Sequence, residues 1–439
     1  MTPAAALFRR TAQRALAALL FFILAAVAAA VDPDLRLVVI VSRHGVRSPL
    51  QSNADLGKYA AESWPDWGVP PGFLTPHGRR LMLLLGRYYR ARYVAAGLLT
   101  GDPARDAPFV TVRADSGERT IESARALGSG LLGGRAPLIL AKPLDTPDPL
   151  FSPVRLWVGD PDPVLAKAAI LGRAGGDLGN ETRVHEAEFR RLDRVLFGRH
   201  APPPGKIDPL RLPTGVVAAE RPTFDIVHLS GSLRVGLTLV DALLLEYTDG
   251  LPMSQVGWGR LDQAQLTDLL PLDSLYFDLT EKTPYVARIN GSNLARHLEE
   301  TIDQAVSGRP VAGAIGGPGQ KVAVVLGHDS NLINLGGLLG LSWIIPGSAQ
   351  DPVLPGGALV FELRRGAAGP WRLRVFYLCQ SLAEMRRGDD LTLGHPPAIA
   401  PIFIPGCSVA APGYDAPWPK VRAKLETAID PRFVVAASR

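Results

Sequence analysis

Leu35-Arg36-Leu37-Val38-Val39-Ile40-Val41-Ser42 runs straight into Arg43-His44-Gly45-Val46-Arg47-Ser48-Pro49, so that an apolar segment opens directly onto a cluster of reactive side chains. The apolar, β-branched run Leu35 to Val41 predicts a strand. Open α/β folds place their ligands beyond such strand ends. There the chain puts a histidine flanked by two guanidinium groups. An imidazole can take a phosphoryl group covalently. Arg43 and Arg47 offer planar, permanently charged forks that match phosphate oxygens. The plainer alternative is a surface loop that happens to hold one His and two Arg. Five fixed positions in seven at a strand end speak against chance.

A second block has the same form. Lys321 to Leu326 is another short apolar run, and it opens into Gly327-His328-Asp329-Ser330-Asn331. If it is a neighbouring strand, His328 and Asp329 emerge at the same sheet edge as His44. An alkoxide leaving group needs a proton, and Asp329 could deliver one. The competing reading is that Asp329 only caps the next helix. Phe109 to Val112 reads as a third strand, with Ser116, Arg119 and Thr120 at the start of a helix running to about Leu132. Free N–H groups at a helix start would help Arg119 hold an anion. As a residue on its own, Arg119 could equally be a solvated helix position.

Taken together these blocks resemble a histidine acid phosphatase, the branch of the histidine phosphatase superfamily that contains bacterial phytases and glucose-1-phosphatases. The resemblance extends to Leu74-Thr75-Pro76-His77-Gly78, Glu118-Arg119-Thr120, Gly257-Trp258-Gly259-Arg260, Thr283-Pro284-Tyr285-Val286-Ala287-Arg288 and Pro355-Gly356-Gly357. It implies a nucleophile at His44, phosphate clamps at Arg43, Arg47, Arg119 and His328, and a proton donor at Asp329. It also implies a phosphoglycerate-mutase-like core. After Ser48-Pro49 the chain departs from typical bacterial phytases, which carry a Thr and a Lys where Leu50 and Gln51 stand. Gln51 can donate hydrogen bonds to a substrate but brings no charge, so sugar phosphates are expected to be better substrates than phytate.

The first thirty residues hold Arg9, Arg10 and Arg14, then an Ala/Leu/Phe run from Ala15, and close on Ala28-Ala29-Ala30. This order reads as a secretory signal peptide cleaved after about Ala30, and a permanent membrane anchor is the alternative. A periplasmic or secreted enzyme is therefore expected. The net charge of the chain is +5, and cleavage would leave 44 Lys+Arg against 42 Asp+Glu. Such a balance does not favour a nucleic-acid partner. No later segment is apolar enough for the membrane, and a monomer or weak dimer acting on a small phosphomonoester is expected. Neither CxxC, HExxH nor a His-rich tract occurs, so neither metal nor cofactor is expected.

Cys379 and Cys407 are the two cysteines, and in an oxidising compartment the even count suggests one disulfide. Two buried free thiols are the alternative. The family's usual bridge from the Pro-Gly-Cys position, here Pro405-Gly406-Cys407, reaches forward to a cysteine this chain lacks.

Strand-like runs recur at Ala358 to Leu363 and Trp371 to Cys379, forming a hairpin through Gly366 to Pro370, while helical patterns such as Gly78 to Ala96 fill the early intervals. The expected fold is α/β: a mixed β-sheet flanked by helices, assembled from residues 31–147 and 266–439. Between them, residues 148–265 carry helical stretches such as Val184 to Leu196 and Leu233 to Leu245 with Pro-rich connectors, which reads as an inserted, mainly helical cap domain. Three activities fit this site: a metal-independent phosphomonoesterase, a phosphotransferase or mutase using the same phosphohistidine, and an idle organophosphate-binding protein. A leader speaks against the mutase, and the pairing of His44 with Asp329 speaks against the idle binder.

Overall fold

A computed structural model describes Asp32 and residues 34–220, 225–367, 369–410 and 413–435. The expected leader, residues 1–30, lies outside them. Strand β1 (Leu35–Arg43) is buried at every position except Arg36, as its unbroken apolar run requires for a central strand covered on both faces. It pairs in parallel with β6 (Val322–Gly327), Arg43 opposite Gly327. It pairs antiparallel with β7 (Ala358–Arg364). β6 continues in parallel to β2 (Val110–Ala114), which takes the short β3 (Ile139–Leu140) at the rim. On the other side β7 makes the expected hairpin with β8 (Arg372–Cys379). The far edge of β8 carries β9 (Ala398–Ile402) and β10 (Ala416–Pro417). The sheet is therefore mixed, and its three central parallel strands β2, β6 and β1 all end at one edge.

Side chains alternate across the sheet, so two separate cores form. Leu35, Val38 and Ile40 pack beneath α1 (Pro76–Ala95) and α2 (Glu118–Leu131), against Met82, Leu85, Tyr89, Leu127 and Leu131. Leu37, Val39 and Val41 face α7 (Pro284–Ser307), α8 (Asp329–Leu339) and α9 (Trp418–Ala428). This second cluster runs on into α3 (Pro163–Arg173), α4 (Glu186–Phe197), α5 (Ser232–Thr248) and α6 (Gln263–Leu279), beside which a small hairpin, β4 (Gly215–Ala218) with β5 (Val227–Ser230), is placed. The helical pattern from Val184 is split at His185, because Asp177 caps a separate turn, Leu178–Val184, before α4 starts.

Two local devices fix the start of α1 against the Arg43–Pro49 loop. Thr75 Oγ1 accepts from the Gly78 amide at 2.8 Å, and Pro76 occupies the first turn, where its missing N–H costs nothing. A Cβ on Gly78 would lie 2.0 Å from the carbonyl oxygen of Val46, so only glycine admits this approach.

The expected bridge between Cys379 and Cys407 is not formed; both are free, buried thiols. Register explains it. Ala398 stands opposite Cys379 and Ile402 opposite Val375, so β9 runs away from Cys379. Four residues of strand cover about 13 Å, whereas a disulfide needs Cα atoms within about 7 Å. Cys407 Sγ instead lies 3.5 Å from the carbonyl of Lys420.

Candidate active site

The parallel register delivers the site. Because β1 and β6 end side by side, His44 follows one strand and His328 the other, and the His44 amide donates to Gly327 O at 3.0 Å. β2 ends beside β6, and the Asp115 amide donates to Leu326 O at 2.9 Å. The turn before β7 closes the far side, where the Gly356 amide donates to His44 O at 2.9 Å and the Arg43 amide to Gly357 O at 2.9 Å.

His44 is 2 % exposed, and its Nδ1 stands 2.8 Å from the carbonyl of Gly45. A carbonyl only accepts, so Nδ1 carries the hydrogen and Nε2 keeps its lone pair. The Gly45 amide donates to Ser123 Oγ at 2.9 Å, which anchors that peptide to α2. Burial, followed by the charges of Arg119, Arg43 and Arg47 and by His328, holds the His44 pKa well below the ordinary histidine value. These influences favour the neutral ring with its Nε2 lone pair free.

Arg43 is buried beside it and donates to Val353 O at 2.6 Å. Its Nη2 meets Asp241 Oδ1 at 3.2 Å and Asp329 Oδ2 at 3.0 Å. Burial opposes its charge, but Asp329 and Asp241 outweigh that and raise its pKa. Arg47 donates to Ser48 O at 3.0 Å and to Asp241 Oδ2 at 3.0 Å. Arg119, second residue of α2, brings its Nη2 to 3.4 Å from His328 Nδ1. Its pKa is lowered to about 10 by burial and by Arg47, which leaves it charged at neutral pH. The Nε atoms of Arg43, Arg47 and Arg119 are buried with no partner among the described residues. Three unspent donors around one imidazole form a receptor for a tetrahedral anion.

His328 caps α8, its amide held by Asn331 Oδ1 at 2.9 Å, and its Nε2 donates to Asp115 Oδ2 at 2.7 Å. Its ring stands edge-on to that of His44 with centroids 5.6 Å apart. Asp115 stays below the usual carboxylate range, because the hydrogen bond and charge of His328 overcome its burial. Asp329 opens α8, its Oδ1 taking the Ser330 amide at 2.8 Å. Burial would raise its pKa, yet Arg43, His328 and Arg47 prevail and lower it.

His44, Arg43, Arg47, Arg119, His328 and Asp329 thus converge on one point. Gln51 is different: it is half-buried and makes no hydrogen bond to the cluster among the described residues. Its neighbour Leu50 is 52 % exposed at the rim. A Cβ on Gly72 would lie 3.0 Å from Leu50 and 3.9 Å from Arg119, so Gly72 stands between the two side chains.

Sequence reasoning missed Asp241 and Asp115. Asp241 lies on α5, and its two oxygens bridge Arg43 and Arg47 as an anion would. The available signal was an acid set within the largely apolar stretch Leu237-Thr238-Leu239-Val240-Asp241-Ala242-Leu243-Leu244-Leu245 of a helix. For Asp115, the signal was an acid at the end of the third parallel strand.

Comparison with known proteins agrees with this geometry. The profile of the histidine phosphatase superfamily (branch 2) matches residues 34–167. A phytase of Escherichia coli (strain K12) is 35% identical over 388 residues, 86% of this chain and 88% of that protein. A glucose-1-phosphatase of Salmonella typhimurium is 30% identical over 391 residues, 87% of this chain and 89% of that protein. Among solved structures, the phytase of Citrobacter braakii superposes with a TM-score of 0.82 at 30% identity, covering 92% of this chain and 100% of that one. With six converging side chains, a matching fold and relatives spanning most of its length, the chain belongs to branch 2 of the histidine phosphatase superfamily and is a phosphoric monoester hydrolase of the histidine acid phosphatase family.

Proposed function

We propose that hydrolysis proceeds in two steps through a phosphohistidine at His44. The observation that carries this is the Nδ1–H of His44 committed to Gly45 O, which leaves Nε2 as the free nucleophile. A phosphomonoester docks on Arg43, Arg47 and Arg119 beside His328. Nε2 of His44 attacks phosphorus in line, and the bond to the leaving oxygen breaks. Asp329, ionised in the free protein, shares Arg43 with the arriving phosphate and faces its charge, so its pKa rises and it carries a proton into the complex. That proton goes to the leaving oxygen and releases the alcohol. Water then attacks phosphorus, Asp329 takes its proton, the P–N bond breaks and inorganic phosphate leaves. The guanidinium charges offset the charge on the equatorial oxygens throughout.

The substrates we propose are sugar phosphates, with phytate hydrolysed modestly, because Leu50 and Gln51, which follow the Arg43–Pro49 loop, bring no charge to hold further phosphates. We also propose that the leader directs the enzyme to the periplasm, and that residues 148–265 act as a cap which decides the substrate. His44→Ala is the direct test. Rapid alkaline quenching, which preserves the acid-labile P–N bond, with a radiolabelled phosphomonoester should trap labelled protein in the wild type and none in His44→Ala, with turnover lost. Labelled phosphoprotein in the variant would disprove the assignment.

A further inference from the structure

Arg43 and Arg47 are bound to Asp241 along the edge that a phosphate would use. In a guanidinium, Nε and Nη2 lie side by side and form a fork that takes two oxygens of one anion. On both arginines that fork is half filled. Nη2 of Arg43 meets Asp241 Oδ1 at 3.2 Å, and Nη2 of Arg47 meets Asp241 Oδ2 at 3.0 Å. Both Nε atoms are buried with no partner among the described residues. The remaining nitrogens are committed to backbone, Nη1 of Arg43 to Val353 O at 2.6 Å and Nη1 of Arg47 to Ser48 O at 3.0 Å. Arg119 differs, for it forms no ion pair among the described residues.

Asp241 is held in that place by its helix. Leu239, Val240, Ala242 and Leu243 around it are fully buried. At the far end of α5, Asp249 Oδ1 accepts from Thr75 Oγ1 at 2.5 Å, and Arg386 donates to Tyr247 O at 3.1 Å and to Leu251 O at 2.7 Å. A phosphate that fills the two forks must therefore share each Nη2 with a carboxylate that stays beside it, and the repulsion between the two anions weakens its hold. Asp329 touches Arg43 alone, so it does not tie the two arginines together. Without such a counter-charge, buried guanidinium groups bind inorganic phosphate as readily as the ester. Binding that does not discriminate between them slows release without helping the chemistry.

Resting on the phosphomonoesterase reading, we propose that Asp241 is a positioning residue of the clamp: it holds Arg43 and Arg47 together and, as a resident competitor for their Nη2 atoms, lowers the affinity for inorganic phosphate so that product is released. A neutral side chain at position 241 leaves both forks to the phosphate, which then binds more tightly and departs more slowly.

The test measures phosphate affinity and turnover side by side in the whole enzyme and in Asp241→Asn, Asp241→Ser and Asp241→Glu, each shown to be folded by its melting transition in phosphate buffer. Calorimetric titration with inorganic phosphate should give a Kd about tenfold lower in the two neutral variants than in the wild type. With p-nitrophenyl phosphate, their KM should fall alongside, kcat should fall at least threefold, and rapid-quench time courses should show a burst of inorganic phosphate formed on the enzyme before the slow steady state. Asp241→Glu keeps the charge and should bring Kd and kcat back to within about threefold of the wild type. Unchanged or weaker phosphate binding in both neutral variants overturns the inference, because a carboxylate that merely supports the arginines would, when lost, loosen the clamp. Tighter binding with undiminished kcat overturns the role in release. In either case normal turnover of the wild type leaves the hydrolase reading standing, whereas its failure to release phosphate from p-nitrophenyl phosphate would remove that reading and this inference with it.

Discussion

At His44 a single backbone carbonyl sets the reactivity of the ring. The Gly45 oxygen selects the tautomer with Nε2 free, and burial among cations keeps the ring unprotonated. At Asp329 the same cations act in the opposite sense and hold the carboxyl ionised until phosphate shares Arg43. In the proposed mechanism, one clamp thereby prepares a neutral nucleophile and, on substrate binding, a proton donor. Asp329→Asn keeps the shape and removes the exchangeable proton. Steady-state rates should fall by about 10³ on a poor leaving group such as glycerol 2-phosphate, and by tenfold or less on p-nitrophenyl phosphate. Equal losses on both esters would take Asp329 out of the proton-transfer role.

Helix α5 acts at the scale of one element. Its apolar faces pack into the larger core through Leu233, Val240, Leu243 and Leu244, while Arg234 and Asp241, seven residues apart, share another face. That face brings Asp241 onto the two arginines of the loop after β1. Removing one partner of a largely buried ion pair leaves the other uncompensated. Asp241→Ala should therefore lower stability in phosphate-free buffer by about 3 kcal/mol, read from denaturant midpoints. Millimolar phosphate should restore most of the loss, because it binds only the folded state and satisfies the same arginines. A loss that phosphate leaves untouched would mean that Asp241 supports the helix packing rather than the clamp.

Across the whole molecule, buried acids outside the ion pairs set the pH response. Burial raises Asp273 to about 7, Glu281 to about 7 and Glu246 to about 8. These carboxyls bind protons more tightly folded than unfolded. Their contribution is fully present below the unfolded value near 4 and is lost as pH rises through 7 to 8. Asp329 and Asp115, with lowered values, work the other way, but only as pH falls below about 4. Melting temperature should accordingly peak near pH 5 and drop by about 5 °C toward pH 8. Glu246→Gln should flatten part of that drop. A Tm that climbs steadily from pH 5 to 8 would contradict the buried-acid account.

Much of this was legible from local pattern. β1, β2, β6, β7 and β8 announce themselves as apolar runs, and the residues just after β1 and β6 include His44, Arg47, His328 and Asp329, the proposed nucleophile, clamp and acid, because a strand end fixes the direction in which the next few side chains emerge. Arg119 was legible as a residue at a helix start, and the shared sheet edge brought it to His328. Other features have no local signature. The cysteine pair looks bridgeable by count, and only the register of β8 against β9 separates the two. Asp241 lies 198 positions from Arg43, and nothing near it in the chain says that its helix will bend back over the loop after β1. Strand identity and the order of reactive residues come from the chain itself, since they depend on hydrophobic periodicity over a few residues. The carboxylates that neutralise the clamp were settled by packing between distant segments, because burial and Coulomb energy depend on separation in space.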